Sequence, residues 1–199
     1  MTGEQEIALF PLSAVLLPHG RMPLQIFEQR YLDLVKSSMR NSEPFGIVRI
    51  ESGSEVAPAQ VPDLASMGAL ANIVDWDQLD NGLLGITVKG GERFRPLRCW
   101  REDSGLVRAE VEVIALPAPA AMIPAWEPVE TVLRGLEAHP HVQRLGLDLD
   151  FEDAWQVALT LVQLLPLEEA LKADLLTLDS IEELMRELDL ILNTISGEA

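Results

Sequence analysis

The 199-residue chain is 48% hydrophobic and 24% charged, the composition of a globular protein with one large domain or two small ones. Its formal net charge of −17 repels phosphate backbones and therefore disfavours nucleic acid as a ligand. The single cysteine, Cys99, excludes an internal disulfide and a thiolate zinc site, and it fits a reducing compartment.

The N-terminus does not have the pattern of a secretory signal. The first ten residues contain two glutamates and no basic residue. No uninterrupted apolar run reaches the roughly 20 residues that a membrane helix needs. We therefore expect a cytoplasmic protein without a membrane partner.

The first 51 residues predict short strands followed by one helix. Residues 7–17 indicate a strand, a break at Pro11 and further extended chain, because proline cannot donate a ladder hydrogen bond. Residues 22–27 form a second extended piece, and residues 45–51 a third. Between these, a helix is predicted from Glu28 to near Asn41. Its apolar stripe consists of Tyr31, Leu32, Leu34, Val35 and Met39.

The clearest β signal lies in residues 69–116. Runs at 69–76 and 83–89 flank Asn81-Gly82, the dipeptide of a two-residue hairpin turn in which both residues take positive φ. Gly90-Gly91 predicts the next turn, and two further strands follow it, at 93–100 and 106–116. About six strands, mostly antiparallel, are therefore expected in this part of the chain.

The C-terminal part is helical in pattern. Residues 117–128 contain four prolines and predict a stiff linker. Helices are predicted at 127–138, 151–165, 167–176 and 180–195, the last with a Ser180-x-x-Glu183 capping box. Residues 1–126 hold 16 acidic and 11 basic residues, whereas residues 127–199 hold 16 and 4. We predict an α+β chain with a β-rich subdomain at 1–116 and a helical subdomain at 129–199.

The sequence carries no recognised catalytic motif. A GxxxxGK[ST] phosphate loop, an HExxH helix and a GxSxG elbow are all absent. Cys99, in a β segment, is interpreted as a half-buried structural thiol. His139 and His141, with the nearby acidic residues 148–153, leave a small metal-dependent hydrolase as an alternative. We assign no catalytic residue, metal ligand or cofactor.

Two groups of residues are candidates for binding. Lys89–Arg101 contains five of the 15 basic residues, with Arg93 and Arg95 on one strand face, and indicates either an anion or acidic-peptide site or a face neutralised by the protein's own carboxylates. The large apolar residues Met122, Ile123 and Trp126 lie in the proline-broken segment. They are either packed between the subdomains or exposed as a contact for a partner.

Residues 7–31 closely resemble the start of the N-terminal domain of Lon proteases. The resemblance rests on Phe10-Pro11-Leu12, on Val15-Leu16-Leu17-Pro18, on Pro23-Leu24, and on Ile26-Phe27-Glu28-Gln29-Arg30-Tyr31. It continues through the segments FGIV and MGALANIVDWDQLDNGLLGITVKGGERFRPL, and it covers roughly residues 7–195. Asn81-Gly82-Leu83 departs from the family's common Asp-Gly-Arg, and the helical half matches by pattern alone.

The resemblance implies a PUA-like pseudo-barrel followed by a helical bundle, a module that Lon uses to recognise or tether substrate proteins. The AAA+ ATPase and Ser-Lys protease of Lon are not expected in this chain. We therefore expect a stand-alone, non-catalytic module that binds protein or unfolded polypeptide, with a protease or chaperone as candidate partner. Because PUA-like barrels bind RNA in other families, an RNA-binding module is the alternative.

The resemblance motif is interpreted as structural. Ile26 and Phe27 fit a buried strand end, Glu28 and Arg30 stand where the helix starts, and Tyr31 begins the helix's apolar stripe. A folding role is expected for all the motif residues, with contact to a ligand peptide as the alternative. They are Pro23, Leu24, Ile26, Phe27, Glu28, Arg30 and Tyr31.

Overall fold

The computed structural model describes residues 3–55 and 60–197, apart from the side chain of Ser196. The chain divides into two compact units, residues 1–116 and residues 117–199. In the described residues, the first unit contains a mixed β-sheet with one helix, and the second contains helices. The predicted α+β class, with a β-rich N-terminal part and a helical C-terminal part, is confirmed.

The sheet of the first unit closes into a barrel. Its elements are β1 (Glu4–Leu12), β2 (Arg21–Ile26), α1 (Gln29–Asn41), β3 (Phe45–Ser52), β4 (Asp63–Gln78), β5 (Leu84–Arg101) and β6 (Val107–Ile114). The strand order is β2-β5-β4-β3-β1-β6, and β6 also pairs with β5. The pair β1–β3 is parallel, and the other pairs are antiparallel. β2 is added outside this ring, along the first half of β5.

Alternate residues of the strands fill one core cluster. In β6, Val107, Ala109, Val111 and Val113 are buried, and the residues between them are more exposed. Phe94 of β5 is fully buried in the same cluster. Because successive side chains of a strand point to opposite faces, this period-two pattern identifies β6 directly from the sequence.

Helix α1 buries its apolar stripe in a second core cluster. Tyr31, Leu34 and Val35 are buried there with side chains from β1 to β5. The helix ends at Asn41, as predicted, and Ser42 follows in the left-handed conformation. Met39 departs from the predicted stripe, since its side chain is 42% exposed. It lines a surface depression opposite β4 instead of the core.

The predicted break at Pro11 is wrong, because β1 continues through it to Leu12. Pro11 lies opposite Val48 in the parallel pair with β3. The pairing of β1 with β6 ends earlier, at Leu9. Pro11 therefore stands where one side of β1 has no ladder partner in the described residues, and its missing N–H breaks no strand pairing there.

The predicted hairpin between β4 and β5 is present, but its loop is longer than two residues. The Leu79 N–H donates to the Leu83 carbonyl (2.9 Å), and the Gly82 N–H donates to the Leu79 carbonyl (2.8 Å). Gly82 has a φ of +81°, whereas Asn81 is not among the described residues with positive φ. This is a three-residue loop, in which a type I turn precedes one left-handed residue.

The turn predicted at Gly90-Gly91 is also wrong, because β5 runs without interruption from Leu84 to Arg101. The backbone of residues 19 and 20, shortly after Leu17, forms two hydrogen bonds with the backbone of Gly90. The His19 N–H donates to the Gly90 carbonyl, and the Gly90 N–H donates to the Gly20 carbonyl, both at 2.9 Å. A Cβ at position 90 would lie 2.0 Å from the Leu17 carbonyl oxygen. Gly90 therefore permits a close backbone approach inside a strand.

The second unit contains the helices α2 (Glu127–Glu137), α3 (Pro140–Gln143), α4 (Ala154–Leu164), α5 (Glu169–Leu176) and α6 (Ile181–Ser196). Helix α4 is buried almost all round and contacts α2, α5 and α6. It begins three residues later than predicted, because Asp153 is its N-cap and accepts a bond from the Trp155 N–H (3.1 Å). The Ser180 hydroxyl caps α6 by accepting from the Glu183 N–H (3.2 Å).

The proline-rich segment before α2 is bonded to the start of α4. Ala121 pairs with Asp153 in an isolated antiparallel bridge. The Asp153 carboxylate accepts from the Ala120 N–H (3.2 Å), and the Ala154 N–H donates to the Ala120 carbonyl (2.7 Å). The segment that the sequence suggests as a linker is thus held by hydrogen bonds within the second unit. Across the described ranges, every helix is too short or too polar to cross a membrane.

Candidate functional site

The segment Glu28–Tyr31 forms a clamp at the start of α1. The Arg30 side chain is buried, and its Nε and Nη2 donate to the two carboxylate oxygens of Glu28 (2.9 and 3.2 Å). Nη1 donates to the Gly105 carbonyl (3.0 Å) and Nη2 to the Glu55 carbonyl (3.1 Å). Arg30 therefore joins the helix to the loop before β6 and to the chain after β3, and its donors are used internally.

Tyr31 lies in a stack of planar groups beside this clamp. Its ring is stacked on Phe10 with the centroids 3.8 Å apart, and the Arg30 guanidinium carbon is 4.4 Å from the Tyr31 ring centroid. Burial raises the pKa of Tyr31 to about 12, with the Glu28 and Glu55 carboxylates adding to the rise and Arg30 opposing it. The phenol is therefore held neutral in the folded protein.

Tyr31 is the single tyrosine of the chain, so its ionisation can be measured directly. We expect tyrosinate absorbance to appear with a midpoint of about 12 in the native protein, against an ordinary value of 10.0. Since folding raises this pKa, the stabilisation it reflects is complete below pH 10.0 and is lost as the pH rises towards 12. An ultraviolet titration in buffer and in concentrated urea tests this expectation, and a native midpoint near 10.0 would contradict it.

The end of β2 does not bury both apolar residues that were predicted to be buried. Ile26 is 1% exposed, but the Phe27 side chain is 59% exposed, so the prediction for Phe27 is wrong. Neighbouring side chains at a strand end point to opposite sides, and only one of these two can face the core. Leu24 is half-buried, and it lines the same depression as Phe27. Part of the motif is therefore at the surface.

Pro23 protects the outer edge of β2 against strand pairing. Gly90 bonds to Gly20, and hydrogen bonds in an antiparallel pair involve alternate residues, so Met22, Leu24 and Ile26 are the residues whose backbone faces β5. Pro23 therefore presents its missing N–H to the outer edge. A proline at this place is a natural device against edge-to-edge association. Recognition at β2 is consequently expected to use side chains.

The largest cluster of exposed apolar side chains described in the first unit lies around Trp76. Three adjoining depressions of about 200, 250 and 290 Å³ share lining residues. The first two share Pro23, Leu24 and Gln25, and the last two share Asp75 and Trp76. We call the area around these depressions the Trp76 surface. Its exposed large apolar side chains are Phe27 (59%), Met39 (42%), Val74 (43%) and Trp76 (60%).

The register of the sheet sets the centre of this surface. Leu24 of β2 and Trp76 of β4 both lie opposite Ile86 of β5. Directly opposed residues share a face of a sheet, so these three side chains form one row across three strands. Ile86 is buried at 2% exposure, whereas Trp76 at one end is largely in solvent. The row thus leads from the core to the exposed indole.

The sequence does not reveal Trp76 as a surface residue. It stands between Asp75 and Asp77 in a strand, and this alternation normally indicates an aromatic side chain that faces the core. The pairing of β4 with β5 shifts register between Ile73 and Asp75. This bulge places Trp76 opposite the buried Ile86, so strand alternation does not explain its 60% exposure. The local sequence pattern carries no signal of it.

The basic residues predicted for binding are occupied within the protein. Arg93 is 4% exposed. Arg95 is exposed but forms an ion pair with Glu112, which lies opposite it on β6. Because Arg93 is buried and Arg95 is paired with a carboxylate, these two residues do not form an exposed anion site. The geometry therefore gives no support to the RNA-binding alternative at these two positions.

The apolar residues predicted for binding lie in the other unit. Met122 and Trp126 are partly exposed, and Ile123 is 45% exposed. The Met122 N–H donates to the Glu152 carbonyl (3.2 Å), and Trp126 closes a short 3₁₀ helix, Pro124–Trp126. They belong to residues 117–199, whereas Arg93 and Arg95 belong to residues 1–116. A role for the three side chains in binding stays a prediction.

The histidine region does not have the geometry of a metal site. The rings of His139 and His141 are stacked with centroids 5.5 Å apart, and His139 Nδ1 accepts from the His141 N–H (3.3 Å). Asp150 accepts from the Glu152 N–H (2.9 Å). Within residues 3–55 and 60–197, no three His, Cys, Asp or Glu side chains are arranged to hold a metal ion. In the structure, the His139 and Asp150 side chains instead accept hydrogen bonds from nearby backbone N–H groups.

Cys99 does not have the surroundings of an activated nucleophile. The residue is partly buried, and burial raises the pKa of its thiol above the ordinary value. A raised pKa lowers the fraction of reactive thiolate at neutral pH. Its partial burial beside the barrel core agrees with the structural role inferred from the sequence.

A larger cavity of about 600 Å³ lies between α1, β1 and the loop before β6. Its lining is mainly polar, and its Arg108 is paired with carboxylates of the same lining. Arg108 donates to the Glu6 carboxylate (2.6 and 3.0 Å) and lies 3.7 Å from Glu102. Arg30, on the opposite wall, is used by the clamp. The Trp76 surface is therefore the better candidate for binding, because its apolar side chains are not covered by the protein itself.

Two solved structures with this fold are Lon N-terminal domains. The chain has a TM-score of 0.73 and 33% identity to a Lon N-terminal domain protein from Xanthomonas campestris, covering 92% of this chain and 96% of that one. It also matches the N-terminal domain of a Mycobacterium avium complex Lon protease, with a TM-score of 0.62, 17% identity and coverage of 92% and 96%. The second likeness shows the fold alone.

Curated relatives are Lon proteases that match over a fragment of their length. Lon protease 2 of Myxococcus xanthus is 29% identical over 111 residues, which are 55% of this chain and 13% of that protein. Lon protease of Anaeromyxobacter dehalogenans is 27% identical over 109 residues, with 54% and 13% coverage. The chain thus spans about one-eighth of these relatives.

The family match covers nearly the whole chain, at residues 6–194. It includes the motif at residues 23–31, the long β4–β5 hairpin and the helices of the second unit. The same family was indicated by the resemblance of residues 7–31, so that identification is confirmed. The chain belongs to the family described as the ATP-dependent protease La (LON) substrate-binding domain.

Proposed function

We propose that this chain is a non-catalytic recognition module that binds unfolded polypeptide segments at the Trp76 surface. The observation that carries the proposal is the grouping of four exposed large apolar side chains along three adjoining depressions. Monomeric proteins rarely expose contiguous apolar patches unless the patch binds something. Membership in a substrate-binding domain family supports the same function.

The form of the surface favours a polypeptide over a compact small molecule. Pockets for small ligands are commonly about 300–1,000 Å³ and enclose most of the ligand. The three depressions hold about 200, 250 and 290 Å³ each and lie side by side. An extended chain can place successive large side chains in such a row. Folded proteins bury these side chains, so an unfolded segment is the matching partner.

A binding role without catalysis agrees with the residues of this chain. The sequence contains no recognised catalytic motif, and the family is defined by substrate binding. The module would then deliver the bound segment to a partner that processes it. A protease or a chaperone is the class of partner we propose, since the relatives are Lon proteases.

Replacing Trp76 with alanine is expected to weaken binding of a fluorescein-labelled, permanently unfolded protein by about tenfold or more, the size typical of an aromatic hot spot. The free energy of unfolding should change by less than about 1 kcal/mol, because the indole is 60% exposed. Fluorescence anisotropy and urea titration measure the two quantities.

The matched control for this variant is Leu190→Ala on α6. Leu190 is a large apolar residue of similar exposure, 55%, in the other unit. We expect it to leave the affinity unchanged within about twofold. Equal losses for the two variants would show that any exposed apolar residue contributes, and this would contradict a defined Trp76 surface. An absence of saturable binding by the unaltered protein would overturn the proposed function.

A further inference from the structure

The second half of β4 forms an open edge of the sheet. The pairing of β4 with β3 ends where Ala71 lies opposite Phe45, but β4 continues to Gln78. Among the described residues, the stretch 72–78 is therefore paired on one side only, by β5. An unpaired strand edge is a template for pairing with another chain, and native proteins protect such edges. This edge therefore needs protection of the kind that Pro23 gives to β2.

The hairpin fixes which backbone groups of β4 face the open side. The Leu79 N–H donates to the carbonyl on the other side of the loop (2.9 Å). Residues that bond to the partner strand alternate along an antiparallel pair, so the backbone groups of Asp77 and Asp75 also face β5. The N–H and C=O groups of Trp76 and Gln78 consequently point to the open edge.

Both outward N–H groups are capped by side chains. The Asp75 carboxylate accepts from the Trp76 N–H (2.9 Å), and the Asp77 carboxylate accepts from the Gln78 N–H (2.7 Å). The two aspartates are exposed and belong to the face of the sheet opposite the indole, because Trp76 lies between them in the strand. They reach the edge from that face. An N–H that donates to a carboxylate is no longer available to a second strand.

A second copy of the chain is the partner that an uncapped edge would take. Two identical edges can pair antiparallel about a two-fold axis, and each contributes the same groups to the pair. Without the caps, Trp76 and Gln78 of both copies would offer N–H and C=O groups to each other. With the caps, pairing has to break two bonds in each copy and bring the carboxylates of both copies together, and like charges across paired strands repel.

We infer that Asp75 and Asp77 keep the open edge of β4 from pairing with a second copy of the chain. They do so by occupying the outward N–H groups of Trp76 and Gln78. The inference goes beyond the proposed function, since it holds whether or not polypeptide binds at the Trp76 surface. In the strand order β2-β5-β4, both outer edges are then protected by different means. Pro23 lacks the N–H, and the two aspartates occupy it.

The test compares two double variants that differ in a hydrogen-bond acceptor at each position. Asp75→Ala/Asp77→Ala removes the charges and the caps, whereas Asp75→Asn/Asp77→Asn removes the same charges and keeps an oxygen. We expect the alanine variant to associate at a concentration at least about tenfold lower than the unaltered protein needs, the effect of one or two net hydrogen bonds. The asparagine variant should stay within about threefold of the unaltered protein. Sedimentation velocity over a concentration series measures the association.

Adding Gln78→Pro to the alanine variant tests whether the association uses this edge. Proline removes an outward N–H, as Pro23 does on β2, and leaves the bonds to β5 in place. We expect the triple variant to associate no more than the unaltered protein does. Association caused by unfolding would not be reversed by a proline, and circular dichroism shows whether each variant keeps its fold. A folded triple variant that still associates would overturn the inference.

Asp103→Ala/Asp148→Ala is the control for net charge. It removes two exposed charges away from β4 and should leave the association unchanged. If this control associates as the alanine variant does, the overall charge of −17 keeps the copies apart and the inference is wrong. Equal association of the alanine and asparagine variants would assign the effect to local charge and overturn the role of the caps. An alanine variant that associates no more than the unaltered protein would also overturn it.

Discussion

Replacing Gly90 with alanine is expected to destabilise the protein by about 3 kcal/mol, because a Cβ at this position overlaps a backbone atom. The added carbon would lie 2.0 Å from the Leu17 carbonyl oxygen and 2.8 Å from its carbon. Leu17 itself is fully buried, and the two bonds that Gly90 makes to residues 19 and 20 hold the neighbouring chain in place. Neither β5 nor the segment 17–20 can move away without breaking these bonds.

The control for this variant is the same substitution at Gly135. Gly135 lies inside α2, and an added Cβ meets nothing within 4 Å. Alanine is favoured over glycine inside a helix, so Gly135→Ala should stabilise the protein by about 0.5–1 kcal/mol. Urea unfolding followed by circular dichroism measures both changes. Stability of Gly90→Ala within about 0.5 kcal/mol of the unaltered protein would contradict the close approach.

Replacing Arg30 with methionine is expected to cost about 3 kcal/mol in the free energy of unfolding. The variant leaves the Glu28 carboxylate and the carbonyls of Gly105 and Glu55 without the donors that Arg30 supplies. The Glu28 side chain is 18% exposed, so water replaces these bonds incompletely. Arg30→Lys should recover only part of the lost stability, because an ammonium group keeps the charge but cannot reproduce the bidentate geometry.

Arg95→Met provides the comparison for Arg30. Arg95 also forms an ion pair, with Glu112, but both side chains are nearly half exposed, at 49% and 45%. Exposed pairs contribute little, and we expect a loss below about 1 kcal/mol. If the two methionine variants lose equal stability in urea titrations, the segment Glu28–Tyr31 is not a structural clamp. Its residues would then have to be reconsidered as part of a binding site.

Elements that bury a regular stripe can be predicted from the sequence. The alternation in β6 and the helical spacing of Tyr31, Leu34 and Val35 each identify a buried face, since each period matches one kind of secondary structure. The Ser180 cap of α6 is equally local, because the bond joins residues three apart. In these cases the contact that decides the structure is encoded within a few residues.

Features set by a second segment of the chain cannot be read in this way. Gly90-Gly91 resembles a turn, yet the chain around Leu17 requires glycine inside a strand. Pro11 resembles a break, and its position beyond the end of the β1–β6 pairing is known only from the sheet. Glycine pairs and proline are each compatible with a turn or with a strand, and the pairing with distant segments decides which of the two forms.

The candidate site depends on pairing in the same way. Phe27 belongs to a motif interpreted as structural, and it is exposed because Ile26 takes the core-facing position. Trp76 lies opposite the buried Ile86, yet it is 60% exposed. The residues of the Trp76 surface come mainly from β1, β2, α1, β4 and β5, which the fold alone brings together. The sequence therefore indicates the family and leaves the location of the surface to the structure.

The central claim is that polypeptide binds at the Trp76 surface, and the indole N–H signals of the four tryptophans test it most directly. In a nuclear magnetic resonance titration with a synthetic peptide rich in large apolar residues, the Trp76 signal should shift saturably. Backbone signals of residues 22–27 and 74–79 should shift with it, and the buried Trp155 should not. Saturable shifts confined to residues 117–199, with Trp76 unchanged, would contradict the claim.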